Sequence, residues 1–387
     1  MSEIKVNSIK GVGASAAAIT VNNTDGTCTA NITNKPNRNL IINGAMNVAQ
    51  RGTSSTTSGY GSVDRFRVQH SGTDEAPTQA QVDVASGTTP YTLGFRKALR
   101  ITNGNQTYGA GTSDKIKYEH YLEAQDIANS GWNYTSASSF ITLSYWIKSS
   151  VAQNFYGVVR TRQGTSYSYA YETGSLSANT WTKVTKTFPG NANLQFDNDT
   201  AKNFQTDIYA FLGTDDTGSK TLNEWSAYSS STQTPNNTST WYTTNDATLE
   251  ITGVQLEVGS VATDFEHRSF GQELALCMRY YETHNSLATA KTTDGSITSY
   301  WSTVTSNDSN TLVIPTGIIY KVPKRASPTV TIYNPGNTAT AARVSAQGTE
   351  RTVTATYGGP NALTRIYVSG ASAGNYVTYN WEASAEL

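Results

Sequence analysis

The sequence predicts an all-β protein: a jelly-roll β-sandwich, a short helix and a second, smaller β-sandwich domain, preceded by a short N-terminal attachment segment. The first observation is composition, because 31 Gly and 23 Tyr among 387 residues, with only 15% charged residues, favour short strands and tight turns over helical bundles. The second is the recurrence of short runs in which apolar and polar residues alternate. The third is length, since a single core rarely exceeds about 250–300 residues.

Charge and cysteine usage exclude several classes of partner. The formal net charge of −1 gives no electrostatic basis for binding nucleic acid or an anionic membrane. No apolar run approaches the roughly 20 residues of a membrane span, so membrane insertion is not expected. Cys28 and Cys277 are far apart and form no disulfide framework, which indicates synthesis in a reducing compartment. No motif indicates a cofactor.

Residues 1–37 form the N-terminal segment. It carries two brief alternating pieces followed by "NKPNRN", in which Pro36 prevents regular structure. Strands this short cannot bury a core alone, so the segment either docks on another protein or pairs with copies of itself. Its apolar residues are Ile4, Val6, Ile9, Ile19 and Val21.

Residues 38–267 read as the jelly roll. In "ITLSYWIK", Ile141 and its alternate neighbours share one face and Trp146 lies on the other. The next run predicts a hairpin that turns at Gln163-Gly164. In "TLEITGVQLEV" the apolar positions change phase at Gly253, which indicates a β-bulge.

Residues 268–282 form a connecting helix, and residues 283–387 return to strands as the second β-domain. Ser269 and Gln272 have the spacing of a capping box. At about twelve residues the helix is not stable alone, so its apolar stripe must pack on a neighbouring domain or subunit. The predicted joint residues are Phe270, Leu274, Cys277, Met278 and Tyr281.

An acidic cluster surrounds this transition: Glu257, Asp264, Glu266, His267 and Glu273. Two carboxylates about 5–9 Å apart would suit a glycosidase. No spacing fixes two of these groups together, and Glu273 is expected on the polar face of the helix. We therefore interpret the cluster as a solvated, salt-bridged joint. Nucleophile elbows, phosphate-binding loops and zinc spacings are also missing, so we predict no catalytic residues and a protein that is not an enzyme.

Two further sets of residues are candidates for ligand binding. Four aspartates on probable turns offer hard oxygen ligands without the full spacing of a calcium loop, so ordinary Asp-rich turns are the favoured interpretation over a calcium site. They are Asp197, Asp199, Asp215 and Asp216. Aromatic rings beside polar residues suit sugar stacking, whereas the alternative is that they fill the core. The candidate sugar-binding residues are Trp146, Tyr167, Tyr169, Tyr171, Tyr300, Trp301 and Trp381.

Several segments of the sequence resemble those of a known protein family. "NLIINGAMNVAQRGTS" with "YGSVDRFRV" resembles the start of the carbohydrate-binding-module-like jelly roll of bacteriophage tail-fibre and virion appendage proteins. "LSANTWTKVTKTFPG" and "LEITGVQLEVGSVATDFEHRSFGQELALCMRYYE" look like its later strands and exit helix. "VPKRASPTVTIYNP" and "YNWEASAEL" resemble the domain that often follows. The resemblance covers residues 38–387, and "SEIKVNSIKGV" looks like the amino end of such proteins.

The resemblance implies a homotrimeric virion appendage made in the host cytoplasm. Its N-terminal segment would bind other phage tail or appendage proteins, and its outer domains would bind host envelope glycan or lipopolysaccharide. A C-terminal tip is the usual arrangement in such proteins. The chain carries neither a collagen-like repeat nor a long heptad run. The alternatives are a purely structural connector or decoration protein and a polysaccharide-degrading tail fibre.

Overall fold

The structure is a computed structural model. It describes residues 6–10, 12, 19–21, 28–30, 36–284, 300–303, 306–308, 311–334, 339–344, 349–369 and 376–387. In these ranges strands greatly outnumber helices and pair antiparallel, which confirms the all-β prediction. None of the helices in the described ranges has both the length and the apolar character that crossing a membrane would require.

The N-terminal segment contains a three-stranded sheet in the order β1-β2-β3. Its strands are β1 (Ser8–Ile9), β2 (Ile19–Val21) and β3 (Cys28–Ala30). Val6 and Ile9 are exposed, and Ile19 and Val21 are partly exposed. Ile4 lies outside the described residues. The attachment role of these residues stays a prediction.

The sandwich domain follows, with three short helices in its connections. Its strands are, in chain order, β4 (Ser54–Ser55), β5 (Phe66–Ser71), β6 (Thr78–Asp83), β7 (Lys97–Thr102), β8 (Lys115–Glu123), β9 (Phe140–Ser149), β10 (Asn154–Thr161), β11 (Tyr167–Ser175), β12 (Thr182–Pro189), β13 (Lys202–Leu212), β14 (Trp225–Ala227) and β15 (Thr248–Val258). Its helices are α1 (Thr89–Thr92), α2 (Ala124–Ala128) and α3 (Thr240–Thr243).

These strands form two six-stranded sheets. Sheet I has the order β14-β11-β10-β13-β8-β5, and sheet II has the order β12-β9-β15-β7-β6-β4. The chain crosses between the sheets repeatedly, for example from β8 to β9 and back to β10, as in a jelly roll. This arrangement confirms the predicted sandwich.

Alternation along each strand builds the core between the two sheets. In β9, Ile141, Leu143 and Ile147 are each at most 1% exposed and point into the core. Burying a side chain of this kind stabilises the fold by about 1.5–3 kcal/mol. The predicted bulge is present, because the register between β15 and β9 shifts at Gly253, which has a φ of +62°. A Cβ there would lie 2.6 Å from the ring of Phe95, so only glycine fits this bulge.

The connecting helix is α4 (Phe270–Met278), and the Ser269–Gln272 capping box is present as predicted. The described strands of the second β-domain are β16 (Tyr281–Thr283), β17 (Tyr300–Thr303), β18 (Ser306–Asp308), β19 (Thr311–Ile319), β20 (Thr329–Tyr333), β21 (Ala341–Val344), β22 (Thr349–Gly358), β23 (Ala362–Ser369) and β24 (Tyr376–Ser384). β24 is central, since one half of it pairs with β16 and β20 and the other half with β17 and β21. This domain has its own apolar core.

Candidate functional site

The acidic cluster that the sequence singled out holds the linker before the sandwich in place. The two carboxylate oxygens of Glu266 accept hydrogen bonds from the backbone N–H groups of Asn37 and Asn39, each at 2.7 Å. Glu257 accepts from the backbone and hydroxyl of Thr263 and lies 3.4 Å from the Arg38 guanidinium. Glu257 and Glu266 thus hold residues 37–39 against the sandwich.

One member of this cluster lies where the sequence did not predict it. Glu273 was expected on a polar, solvated face of the helix, but it is only 6% exposed. Its carboxylate accepts from the backbone N–H of Asn43 and lies 3.6 Å from Arg268. Burial raises the pKa of Glu273 despite these two contacts. Glu257 and Glu273 are therefore buried while Asp264 and His267 are exposed, so the prediction of a solvated cluster was wrong for these two glutamates.

The apolar stripe of the helix is confirmed in part. Cys277, Met278 and Tyr281 are buried, and Leu274 is partly buried. Phe270 is 46% exposed, so the prediction that it packs in the joint was wrong. The helix begins at Phe270, and the face that it buries runs through Glu273, Cys277 and Met278.

The two β-domains are joined by a set of arginines and carboxylates that the sequence analysis missed, which we call the joint network. Glu386, near the end of the second domain, forms ion pairs with Arg65 and Arg51 of the sandwich, the latter at 3.2 Å. The two guanidinium groups stack on the rings of Tyr280 and Tyr281, each 3.5 Å from the ring centre.

A second pair extends the joint network. Arg279, just after the helix, donates two hydrogen bonds of 2.8 Å to the carboxylate of Glu123 at the end of β8. Tyr280 donates a third bond, of 2.6 Å, to the same carboxylate. Lys324 bonds Glu282 at 2.6 Å, and Arg325 donates to the backbone carbonyl oxygens of Thr200, Ala385 and Glu386. The joint network therefore fixes one domain against the other.

The predicted sugar-stacking residues are mostly buried. Tyr169 and Tyr171 face the core between the sheets and are 6% and 0% exposed, and Tyr167 packs against the same core. Trp381 is 3% exposed in the core of the second domain. The burial of Tyr169, Tyr171 and Trp381 contradicts a surface role for these residues, whereas Tyr167 is partly exposed and its sugar-binding role stays a prediction. Alternation shows which residues share a face without showing which face points outward.

Three further candidates are not contradicted by burial. Trp146 lies on the outer face of sheet II, but it packs against an apolar cluster around Phe95 and is only partly exposed. Tyr300 and Trp301 lie in β17, opposite Tyr379 and Thr378 of β24. The structure describes only the backbone of Tyr300 and Trp301, so their sugar-binding role stays a prediction.

The aspartates considered for calcium bond within the protein. Each accepts a hydrogen bond from a residue nearby in space, as in ordinary Asp-rich turns. These residues are Asp197, Asp199, Asp215 and Asp216. In the part of the chain that the structure describes, no group of three or more His, Cys, Asp or Glu side chains is arranged to hold a metal ion.

The strongest candidate site is a groove of about 320 Å³ on the outer face of sheet I. Strands β5, β8, β10 and β13 form its floor, and the loop after β14 forms one wall with Tyr228, Ser230 and Gln233. We call it the sheet I groove. Its lining side chains alternate with core residues along each strand, as in β8, where Lys117 alternates with the buried Tyr118.

Cross-strand pairing arranges the groove side chains in three parallel rows. One row runs from Arg160 through Gln205 to Tyr121. The next contains Asp207, Glu119 and Arg67, and the third contains Tyr209, Lys117 and Gln69. Side chains paired in this way lie about 4.5–5.5 Å apart at their Cβ atoms, so the floor presents a regular polar array.

Hydrogen bonds connect the floor into one network. Lys117 lies 2.7 Å from Glu119 and 3.3 Å from Asp207. The amide of Gln205 donates to Asp207 at 2.7 Å and to Glu119 at 3.3 Å. The Tyr209 hydroxyl contacts Asp207 at 3.2 Å. A network of this kind holds its donors and acceptors at fixed positions.

The electrostatics of the floor follow from burial and pairing. Burial acts to raise the pKa of Glu119, but Lys117 and Arg67 outweigh it, so this pKa is lowered. Burial raises the pKa of Asp207, despite Lys117. Burial, Glu119 and Asp207 raise the pKa of Tyr121 to about 12, so its hydroxyl stays protonated at neutral pH. The groove thus combines fixed charges with neutral hydrogen-bonding groups.

Comparisons with known proteins give weak similarity. No family model and no curated protein matches the sequence. Among solved structures, the chain is similar to the enzymatically active domain of a tailspike protein from bacteriophage CBA120, at 10% identity and a TM-score of 0.31, over 58% of this chain and 22% of that one.

Carbohydrate-binding modules are similar at the same low level. The N-terminal cellulose-binding domain of Cellulomonas fimi β-1,4-glucanase C matches at 13% identity and a TM-score of 0.26, over 56% of this chain and 99% of that one. The family 11 module of Clostridium thermocellum, solved with a mixed-linked tetrasaccharide, matches at 10% identity and a TM-score of 0.25, over 55% of this chain and 99% of that one. Because these TM-scores are low, the sandwich assignment rests on the strand pairing of this chain.

Proposed function

We propose that this chain is a non-enzymatic, carbohydrate-binding protein of a bacteriophage tail fibre or virion appendage, which binds host envelope glycan as a homotrimer. The observation that carries the proposal is the sheet I groove. It is open to solvent, and above its buried polar floor it presents the partly exposed side chains of Gln69, Arg160 and Arg162 and the exposed side chain of Lys202. Hydrogen bonds from such groups orient a sugar in a binding site.

The place in a virion is supported by the sequence resemblance and by the N-terminal segment. Its short sheet leaves Val6 and Ile9 exposed, at 45% and 54%, which suits contact with other phage tail or appendage proteins. Repetition of the groove in an oligomer would raise the overall affinity for a repeating glycan, even where one groove binds weakly.

Binding without hydrolysis is supported by the two carboxylates in the groove. A glycosidase needs one carboxyl group as acid and the other as base or nucleophile. Here Glu119 and Asp207 share the ammonium of Lys117, and Glu119 also pairs with Arg67. These partners occupy the oxygens that catalysis would use, so we expect no release of reducing ends from host glycan.

Blocking the groove tests the proposal. Ser230→Trp would place a large ring at an exposed position of the groove wall without changing the charge. We expect it to reduce binding of the purified oligomer to host cells at least about tenfold, and to abolish competition with phage adsorption. Ser86→Trp, at an exposed turn before α1, is the matched control and should bind like the parent.

The outcomes separate the alternatives. Equal loss in both variants would show non-specific damage, and unchanged binding by Ser230→Trp would place the binding site elsewhere. A correctly assembled parent that does not bind host cells would favour the structural connector.

A further inference from the structure

The charges of the sheet I groove are unequal. Six cationic side chains lie in or beside its floor, against three carboxylates, although the chain as a whole has a net charge of −1. The cations are Arg67, Lys115, Lys117, Arg160, Arg162 and Lys202, and the carboxylates are Glu119, Asp207 and Asp216.

Ion pairs neutralise only part of this positive charge. Arg67 and Lys117 pair with Glu119, and Lys115 lies 3.5 Å from Asp216. In the described part of the chain, no ion pair joins a carboxylate to the other three cations, Arg160, Arg162 or Lys202. The excess charge is therefore concentrated at one end of the groove.

The three cations are held by neutral partners. Arg160 donates to the hydroxyl of Ser166 at 2.9 Å and stacks on the ring of Tyr228, 3.2 Å from its centre. Arg162 donates to the side-chain oxygen of Gln205 at 2.8 Å. The ammonium of Lys202 lies 4.5 Å from the centre of the Tyr121 ring.

Mutual repulsion accompanies this arrangement. Burial lowers the pKa of Lys202, and the neighbouring Arg162 and Arg67 lower it further. Burial likewise lowers the pKa of Arg160, and Arg162 adds to the effect. An anion bound among these groups would remove the repulsion and gain charge-assisted hydrogen bonds.

We propose that the glycan bound in the sheet I groove is anionic, and that Arg160, Arg162 and Lys202 together bind an oxyanion carried by it. The inference rests on the proposed function, since it names the chemical class of the ligand of the same groove. A uronate carboxylate and a phosphate ester share this chemistry. Arginine donates in pairs to either group, and the two planar guanidinium groups beside one ammonium suit both.

The experiment compares matched glycans that differ in charge. Binding of the parent protein is measured by calorimetry or biolayer interferometry with polygalacturonate against its methyl ester, and with phosphomannan against neutral mannan. We expect at least tenfold tighter binding to the charged member of one pair, and weaker binding as salt rises. The pair that shows the difference identifies the source of the oxyanion.

Two charge variants locate the effect. Arg162→Gln with Lys202→Gln should remove the preference for the charged glycan, with an affinity loss of about a hundredfold or less. The control, Lys97→Gln with Lys183→Gln, removes the same charge from two strands of sheet II, away from the groove, and should leave the preference unchanged.

The remaining results contradict one proposal or the other. Equal binding to charged and neutral glycans, still blocked by Ser230→Trp, would overturn the anionic ligand and keep the glycan groove. No binding to any of the four glycans or to host envelope polysaccharide would overturn both. Tighter binding to an oligothymidylate than to any glycan would also overturn both, because the groove would then be a nucleic-acid site.

Discussion

The sheet I groove and the joint network are built from the same residue types but differ in how their charges are matched. In the joint network, Arg51 and Arg65 share Glu386, and Arg279 binds Glu123 with two hydrogen bonds. In the groove, the partners of the cations at one end, among the residues that the structure describes, are hydroxyl, amide and ring groups.

This difference distinguishes a structural role of charged residues from a role in ligand binding. A buried charge is costly unless a partner within the protein compensates it, and the joint network supplies such partners. In the groove, Arg160 and Arg162 are partly exposed and Lys202 is exposed, so water can compensate their charge until a ligand replaces it. Unmatched cations in an open groove therefore indicate an external partner, whereas matched cations between domains indicate stability.

The largest effect is expected from a substitution that breaks the joint network. Arg65→Ala removes a guanidinium that is 1% exposed and leaves the Glu386 carboxylate with its weaker partner, Arg51. We expect a loss of about 3–5 kcal/mol in the free energy of unfolding by urea. Lys202→Ala, in the groove, should change the same quantity by at most about 0.5 kcal/mol. Similar losses of unfolding free energy in the two variants would show that charges in the two regions contribute equally to stability, which would contradict the comparison.

A pH titration tests the joint network further, and its expected effect on stability is smaller. Burial raises the pKa of Asp64, a partner of Arg51, from 3.8 to about 6. The folded state therefore binds more protons than the unfolded state between these values, and its stability falls as pH rises through them. Asp64→Asn should remove the part of this loss of stability that comes from ionisation of Asp64.

The measurement is the difference in melting temperature between the parent and Asp64→Asn at several pH values. The parent should lose stability relative to the variant as pH rises from about 4 to about 6. Asp83→Asn, where the side chain is 81% exposed, is the control and should run parallel to the parent. Parallel curves for Asp64→Asn as well would show that folding does not raise the pKa of Asp64.

The smallest expected effect concerns the helix that enters the joint. Ser269→Ala removes the hydroxyl that accepts from the backbone N–H of Gln272 in the capping box. We expect a loss of about 1 kcal/mol in the free energy of unfolding and no change in glycan affinity, because the groove is not involved. A loss of binding with unchanged stability would show that the helix belongs to the binding surface.

Local features of the fold could be predicted from the sequence. The capping box at Ser269 and the bulge at Gly253 depend on neighbouring residues, and both are present. The hairpin at Gln163-Gly164 is present for the same reason, since β10 pairs with β11. In each case the physical cause lies within a few residues of the feature.

Long-range features could not be predicted. Tyr171 shares a face with other tyrosines as expected, but that face points into the core. Alternation with a period of two does not show which of the two faces of a strand is buried. Arg65 and Glu386 are 321 residues apart in sequence. The sheet I groove combines side chains from four strands and a distant loop, so no single stretch of sequence reveals it.

Hydrogen exchange of the assembled protein with and without host envelope polysaccharide tests the central claim most directly. The account predicts slower exchange in β8, β10 and β13 and in the loop that carries Tyr228 and Ser230, with unchanged exchange in β9 and β12. Slower exchange confined to the outer face of sheet II or to the second β-domain would contradict it.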